Sequence, residues 1–166
     1  MSGIDLSFVS GKEKYIALPE GIGRTDISQN LCMVFNGNDI DTELLTQIGG
    51  RVQMGETVEA AVAREVQEEL EITPEIIRPL WLNQAFFTED VDGLHYHELC
   101  LYFLMDISHT DLLSKGEKFT LLERHHTHKF EWLPFERLER EYFYPLFLKK
   151  EIFHLPEALT LRTELE

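Results

Sequence analysis

Length, composition and charge already narrow the class of protein. A chain of 166 residues with 43% apolar residues can form the core of one globular domain, so we expect a single domain over residues 1–166. The net charge of −15, without a cluster of Lys and Arg, argues against binding to long nucleic acids. The chain has no run of 18 apolar residues and no pattern of a secretory signal, which predicts a cytoplasmic protein without a membrane partner. Cys32 and Cys100 lie in apolar runs and are expected to be buried, reduced thiols.

The first 48 residues predict short strands separated by turns. Residues 5–9 and 14–18 are weak strand candidates, and residues 31–35 and 44–48 are stronger ones. The segment 19–26 is rich in turn-forming residues, and we expect a plain loop there, including its Gly-Ile-Gly. The first 30 or so residues are therefore expected to be peripheral to the domain.

The second half of the chain predicts a hairpin, a long loop and two helices. Residues 76–87 and 94–107 form the hairpin, with an irregularity at Pro79. Residues 108–129 are polar and predict a loop, and a strand at 130–133 follows. Helices are expected at 135–141 and 145–153, and the tail from residue 156, about ten residues, is expected to be loosely held.

Three histidines in the predicted loop raise the question of a metal site. His125, His126 and His128 could bind Zn²⁺ or Ni²⁺, but they lack cysteine partners and the spacing of a zinc site. We therefore interpret them as residues of a surface loop.

The most informative stretch runs from residue 49 to residue 72, where glycines precede a long helical pattern. Thr57 can cap the helix, and Glu59 adds a negative charge to its first turn. An apolar residue recurs every fourth position, which predicts one side of the helix facing a core. These apolar positions are Val58, Val62, Val66 and Leu70.

The same helix carries a cluster of acids that needs a counter-charge. Glu65, Glu68 and Glu69 share one arc of the helix, and like charges four residues apart destabilise it by roughly 0.2–0.5 kcal/mol per pair. Arg64 can neutralise one neighbour, and a hard divalent cation would neutralise the others. Three glutamates alone are also typical of a solvated acidic face. The Gly49-Gly50 turn favours the metal-site interpretation, because a glycine turn before a helix presents N–H groups to phosphate.

This stretch resembles the Nudix box, Gly-x5-Glu-x7-Arg-Glu-U-x-Glu-Glu-x-Gly-U, where U is an aliphatic residue. Eight of the nine specified positions match, from Gly50 and Glu56 to Ile72. The exception is Glu71, which stands where the family has Gly. A left-handed conformation at this residue would cost on the order of 1 kcal/mol. Weaker resemblance extends over roughly residues 40–150, and the family's α/β/α sandwich with a mixed β-sheet is the expected fold.

The resemblance also implies an activity and its residues. Nudix hydrolases cleave a nucleoside diphosphate linked to another group X. It implies Mg²⁺ or Mn²⁺ held by Glu65, Glu68 and Glu69, with the Gly50 carbonyl as a further ligand. Arg64 would hold Glu56 or Glu68 in place, and Gly49, Gly50 and Arg51 would contact the phosphates. The residues implied as catalytic are Glu56, Arg64, Glu68 and Glu123.

Several points stay open at the level of the sequence. Glu123 is the best candidate for the general base, and Glu98 is a second one. Phe86, Phe87, Tyr96 and Trp132 are candidates for stacking on a base, although their pattern favours core positions. Triphosphates, ADP-ribose and dinucleoside polyphosphates all remain candidate small-molecule substrates, and an exposed apolar sheet edge would support a homodimer.

Two other functions compete with hydrolysis. A non-catalytic nucleotide-binding or regulatory module is motivated by Glu71 and by the uncertain base. A minority of proteins with this fold catalyse isomerisation. Release of phosphate or monophosphate from a nucleotide panel separates the enzyme from the module.

Overall fold

The fold is seen in a computed structural model that describes residues 7–10, 13–24, 31–36, 45–49, 51–88, 90, 93–107, 109–123, 126–141, 143 and 145–165. Side chains are described from Arg51 onward, outside positions 113, 123–128, 134 and 136. In this part of the chain, no helix is long and apolar enough to span a membrane.

Within these residues, nine strands join into one mixed sheet in the order β7-β8-β3-β4-β2-β6-β5-β9, with β1 paired to β2. The pairs β2–β6 and β5–β9 are parallel, and the others are antiparallel. The strands are β1 Ser7–Ser10, β2 Glu13–Arg24, β3 Leu31–Asn36, β4 Leu45–Gly49, β5 Glu75–Thr88, β6 His95–Asp106, β7 Lys118–Glu123, β8 His126–Pro134 and β9 Thr160–Leu165. The helices are α1 Val58–Leu70 and α2 Leu148–Glu151, with 3₁₀ turns at Leu112–Lys115 and Phe135–Arg140.

Each face of the sheet is covered by a different helical layer. Val62, Val66 and Leu70 of α1 pack in one apolar cluster, the α1-side cluster, with Phe103 and Met105 of β6. The intervening β6 residues point the other way, because side chains alternate along a strand. They pack with the 3₁₀ turn at 135–140 and with α2 in a second cluster. Two helical layers around one mixed sheet form the predicted α/β/α sandwich.

Strand β2 corrects the prediction of a loop at 19–26, of which residues 25 and 26 lie outside the described residues. It also corrects the expectation that the first 30 or so residues are peripheral, because β2 lies between β4 and β6 in the sheet. It continues through Pro19, Gly21 and Gly23 to Arg24, paired along its whole length with β6. On its other side, β1 pairs with residues 13–16 and β4 pairs with residues 20 and 21. On this side, away from β6, Pro19 lies between the two paired stretches, and an unpaired position of this kind is compatible with a proline in a strand.

The segment 108–129 is also not the predicted loop. It contains a 3₁₀ turn and strand β7, and β8 begins at His126 rather than at residue 130. Phe119 and Leu121 of β7 pack against the α1-side cluster, and Phe119 stacks on Phe130 with ring centroids 5.3 Å apart. The prediction of a surface loop for the histidines was therefore wrong for His126 and His128, whose backbone lies in β8. His125 lies outside the described residues.

The C-terminal part differs from the prediction in two ways. The helix predicted at 145–153 is confined to the four residues of α2, and the helix predicted at 135–141 is a 3₁₀ turn. The tail from residue 156 is not loose, because β9 pairs with residues 81–86 of β5. The ion pair between Arg162 Nη1 and Glu151 Oε1, at 2.7 Å, ties this strand to α2.

The predicted hairpin is confirmed, with β5 and β6 paired from end to end and register shifts on both sides of Pro79. Cys100 is buried and reduced as expected, and its Sγ donates to Glu98 Oε1 at 3.0 Å. The side chain of Cys32 lies outside the described residues.

Candidate functional site

The helix of the glycine-rich stretch begins and packs as its sequence predicts. Thr57 is the N-cap, and its Oγ1 accepts a hydrogen bond from the Ala60 N–H at 3.1 Å. Val62, Val66 and Leu70 are buried, and Val58 packs at the edge of the same cluster. The apolar stripe therefore fixes the rotation of α1, which places its acidic arc beside the stripe and at the surface.

A tight turn immediately precedes this helix. The Glu56 N–H donates to the Gln53 carbonyl at 3.2 Å, and the Gln53 N–H donates to Glu56 Oε1 at 2.8 Å. Gly55 occupies the third position of the turn with a φ of 87°, a conformation that glycine adopts without strain. Val52 is 2% exposed and anchors the start of the turn in the core. One glutamate thus closes the turn with both its backbone and its side chain.

Arg64 joins the turn to the helix. Its Nε donates to Glu56 Oε2 at 3.1 Å and its Nη2 donates to Glu56 Oε1 at 2.7 Å, a bidentate pair. Nη2 also donates to the Arg51 carbonyl at 2.9 Å. On the helix side, Nη1 lies 2.6 Å from Glu65 Oε1 and 3.5 Å from Glu68 Oε2. One guanidinium therefore holds the segment 51–56 and two of the three clustered carboxylates. We call this set of contacts the Arg64 clamp.

The electrostatics of this network follow from the same contacts. The hydrogen bonds from Arg64 lower the pKa of Glu56 below its ordinary value, with partial burial acting in the opposite direction. The contacts with Glu56 and Glu65 raise the pKa of Arg64. The arginine is therefore permanently charged, and Glu56 is ionised at neutral pH. The sequence interpretation left open whether Arg64 pairs with Glu56 or with Glu68. It contacts both, and the contact with Glu56 is the tighter one.

The donor chemistry of the acidic arc fits a hard divalent cation. Carboxylate oxygens are the ligands that Mg²⁺ and Mn²⁺ prefer, and Glu65, Glu68 and Glu69 present them on one side of α1 without a sulfur or nitrogen donor among them. In the part of the chain with described side chains, no three acidic, histidine or cysteine side chains already converge on one point. Glu65 and Glu68 instead share the positive charge of Arg64.

Glu71 ends α1 in the left-handed conformation that the family's glycine would adopt. Its φ and ψ are 59° and 31°, and its N–H donates to the Gln67 carbonyl at 3.0 Å. The exit of the helix is thus the usual αL cap in spite of the missing glycine. The departure from the family motif introduces strain at the cap and leaves the acidic arc in place.

The other predicted site residues lie at the edges of this arrangement. Gly49 ends β4, and Gly50 lies outside the described residues. Arg51 contributes its carbonyl to the clamp. Glu123 is the last residue of β7, a strand that contacts α1, but its side chain is not among those described. Glu98 shares the β6 face of Cys100, which is the face away from α1, so its position does not favour it as a base.

The aromatic candidates divide between the two faces of the sheet. Phe86 and His97 stack at 4.3 Å on the α1 face, and Phe86 is 38% exposed. Phe87 and Tyr96 stack at 4.9 Å on the other face. Trp132 is buried in the α1-side cluster. Of the aromatic candidates, Phe86 is the one that is both exposed and on the side of the acidic helix.

The sequence interpretation missed the backbone contacts of the site. The Gln53 N–H and the Arg51 carbonyl complete the clamp, although neither contact uses the side chain of Gln53 or Arg51. No side-chain pattern could have revealed them. The alternation of residues 118–123 was the available signal for β7.

Comparison with known proteins decides the family. The NUDIX domain model matches residues 29–152, which is 124 of the 166 residues. The chain belongs to the NUDIX family. It is a Nudix hydrolase, of the class that acts on phosphoric anhydride bonds and generally uses divalent metal ions. No curated protein matches this Nudix hydrolase.

Solved structures agree on the fold. The chain is similar to the MutT protein from Methanosarcina mazei Go1, with 19% identity, a TM-score of 0.55 and coverage of 87% of this chain and 94% of that one. It is similar to a NUDIX hydrolase from Nitrosomonas europaea, with 13% identity, a TM-score of 0.53 and coverage of 91% and 79%. A MutT protein from Bacillus halodurans gives 12% identity, a TM-score of 0.56 and coverage of 89% of both chains. Similarity at this level supports the fold and carries no information about the substrate.

Proposed function

We propose that this Nudix hydrolase is a divalent-metal-dependent pyrophosphohydrolase that cleaves a nucleoside diphosphate linked to another group, with Mg²⁺ or Mn²⁺ as the ion. The observation that carries the proposal is the Arg64 clamp. It holds the turn at 53–56 against the helix whose outer arc carries Glu65, Glu68 and Glu69. Because Arg64 also bonds the Arg51 carbonyl, one side chain joins the segment proposed to bind phosphate to two of the carboxylates proposed to bind the metal ion.

Each residue of the site has a proposed role. Glu65, Glu68 and Glu69 are the protein ligands of the ion, with the Gly50 carbonyl as a further ligand. When bound, the ion neutralises phosphate charge and lowers the pKa of a coordinated water. Such an ion also offsets the repulsion among the three glutamates, which Arg64 relieves only in part.

The remaining roles belong to groups around this arc. Arg64 is a positioning residue that acts through Glu56, whose ionised carboxylate closes the turn. Gly49, Gly50 and Arg51 are proposed to bind the phosphates. Glu123 is proposed as the general base that accepts a proton from the attacking water.

The direct test is a panel of nucleotides assayed with Mg²⁺ and with Mn²⁺. Triphosphates, ADP-ribose and dinucleoside polyphosphates are included, and release of phosphate, pyrophosphate or monophosphate is measured. We expect turnover of at least one compound that is abolished by a chelator and restored by the ion. If no compound turns over but one binds tightly, the protein is a nucleotide-binding module instead.

A single substitution tests the metal assignment. Glu68→Gln is expected to lower kcat by at least about two orders of magnitude, because it removes an anionic ligand, while the unfolding transition stays in place. Glu59→Gln is the matched control, since it removes one carboxylate from the exposed first turn of the same helix. Full activity in Glu68→Gln would show that the metal assignment is wrong.

We propose that residues 1–166 act as one domain, that the substrate is a small nucleotide and not a long nucleic acid, and that the location is the cytoplasm.

A further inference from the structure

Strand β9 lies at one end of the sheet and carries exposed leucines. Among the described strands, it pairs on one side only, with β5. Leu161 is 63% exposed and Leu165 is 78% exposed. An edge strand with exposed leucines is a template for pairing, and proteins usually protect such edges with charges, prolines or bulges. Residues 161–165 contain no proline and are regularly paired with β5.

The two faces of β9 carry different chemistry. Leu161 is in register with Leu82 of β5, which is opposite Leu101 in the α1-side cluster. Leu161, Thr163 and Leu165 therefore share the α1 face of the sheet, because side chains alternate. The intervening Arg162 and Glu164 lie on the α2 face, where Arg162 contacts Glu151 and Phe147.

The order of these five residues is complementary to itself. Reversed in direction, Leu-Arg-Thr-Glu-Leu places leucine opposite leucine, threonine opposite threonine and arginine opposite glutamate. A two-fold axis at Thr163 produces this register between two antiparallel copies of β9. Opposite charges and apolar pairs at directly facing positions stabilise an antiparallel pair, and like charges destabilise it.

Neighbouring registers lack this complementarity. A shift of the axis to Arg162 or to Glu164 places that charge opposite its own copy. A half-step shift in either direction places a leucine opposite a charged residue. The pattern thus favours one register over its neighbours, as a specific contact requires.

We propose that β9 is a homodimer interface, in which the strands of two copies pair antiparallel about a two-fold axis at Thr163. The contact is isologous and closes on itself, so it yields a dimer and no fibre. The axis is perpendicular to the sheet, and α1 of both copies lies on the same side of the joined sheet. This inference does not rest on the proposed hydrolysis, since no β9 residue belongs to the candidate site.

The mass in solution tests the proposal first. The pairing surface is one six-residue strand, and small interfaces associate weakly. We therefore expect reversible association at protein concentrations between about 1 μM and about 500 μM. Sedimentation equilibrium should show an increase from the chain mass of 19.4 kDa toward twice this value. A monomer over the whole range would overturn the proposal.

Two double variants test the register. In Leu161→Lys with Leu165→Lys, lysines face each other at both pairs, and we expect a monomer at all concentrations. In Leu161→Glu with Leu165→Lys, each glutamate faces a lysine, and the dimer should persist. Both pairs of changes lie at exposed side chains, so folding is retained in each. Equal association of the two variants would overturn the register.

Two single variants supply the controls. Leu122→Lys changes an equally exposed leucine, at 65%, on β7 at the other end of the sheet, and should leave the dimer intact. Thr163→Cys places a thiol on the axis and should give a disulfide-linked dimer on mild oxidation. Leu161→Cys should not, because four residues of extended chain separate the two thiols by about 13 Å. Loss of the dimer in Leu122→Lys, or equal cross-linking of both cysteine variants, would refute the pairing.

Discussion

Replacing Glu71 by Gly should stabilise the protein. Glu71 ends α1 with φ and ψ of 59° and 31°, and its side chain is exposed. The left-handed conformation costs a non-glycine residue about 1–2 kcal/mol. A negative charge at the C-terminus of a helix also opposes the helix dipole, at a cost of about 0.3–1 kcal/mol.

The gain is partly offset in the unfolded state. Glycine gains more conformational freedom on unfolding than glutamate does, which costs about 0.5–1 kcal/mol. The net effect of Glu71→Gly is therefore an increase of about 1 kcal/mol in the free energy of unfolding. For a domain of this size, this corresponds to a rise of roughly 2–4 °C in Tm.

Glu71→Gln separates the two contributions. It removes the charge but keeps a side chain in the left-handed conformation, so it should recover only the dipole term. Urea unfolding of the parent and both variants at neutral pH measures the three free energies, and the nucleotide assay should show similar kcat values. If Glu71→Gly is no more stable than Glu71→Gln, the strain argument fails.

Two predictions concern the clamp. Arg64→Lys keeps the charge but loses the planar guanidinium that bonds two groups at once. We therefore expect a loss of about 2 kcal/mol in the free energy of unfolding, together with a lower kcat. Unchanged stability in urea unfolding would contradict this role of the guanidinium. Glu56 has a pKa lowered by Arg64, so the stability that it contributes is complete above its unfolded value of 4.5 and is lost as the pH falls through its folded pKa. Between pH 6 and pH 3, Tm should therefore fall more steeply in the parent than in Glu56→Gln, and parallel curves would contradict the assignment.

The parts of the structure that the sequence predicts well are those with a strong local signal. Thr57 caps α1, and the four-residue repeat from Val58 to Leu70 sets its buried side. The hairpin of β5 and β6 was predictable because both arms are long and apolar. These signals do not depend on distant parts of the chain.

The missed parts depend on partners far away in sequence. Strand β2 contains Pro19 and two glycines, which locally favour a loop, and its pairing with β6 overrides that preference. Strand β9 is short and largely exposed, so no core face marked it. It is held by register with β5 and by the pair of Arg162 with Glu151. The acids of the site were predictable from their spacing, whereas the Gln53 N–H and the Arg51 carbonyl were not.

The single guanidinium at the centre of the site has a consequence for how the protein can change. Arg64 bonds Glu56 and Glu65 at once. Substitutions at the two glutamates should therefore have non-additive effects on stability, because the arginine can keep its bond to one glutamate after the other is lost. A substitution in the turn therefore changes the effect of a substitution on the helix, and we expect the two segments to vary in a correlated way in evolution.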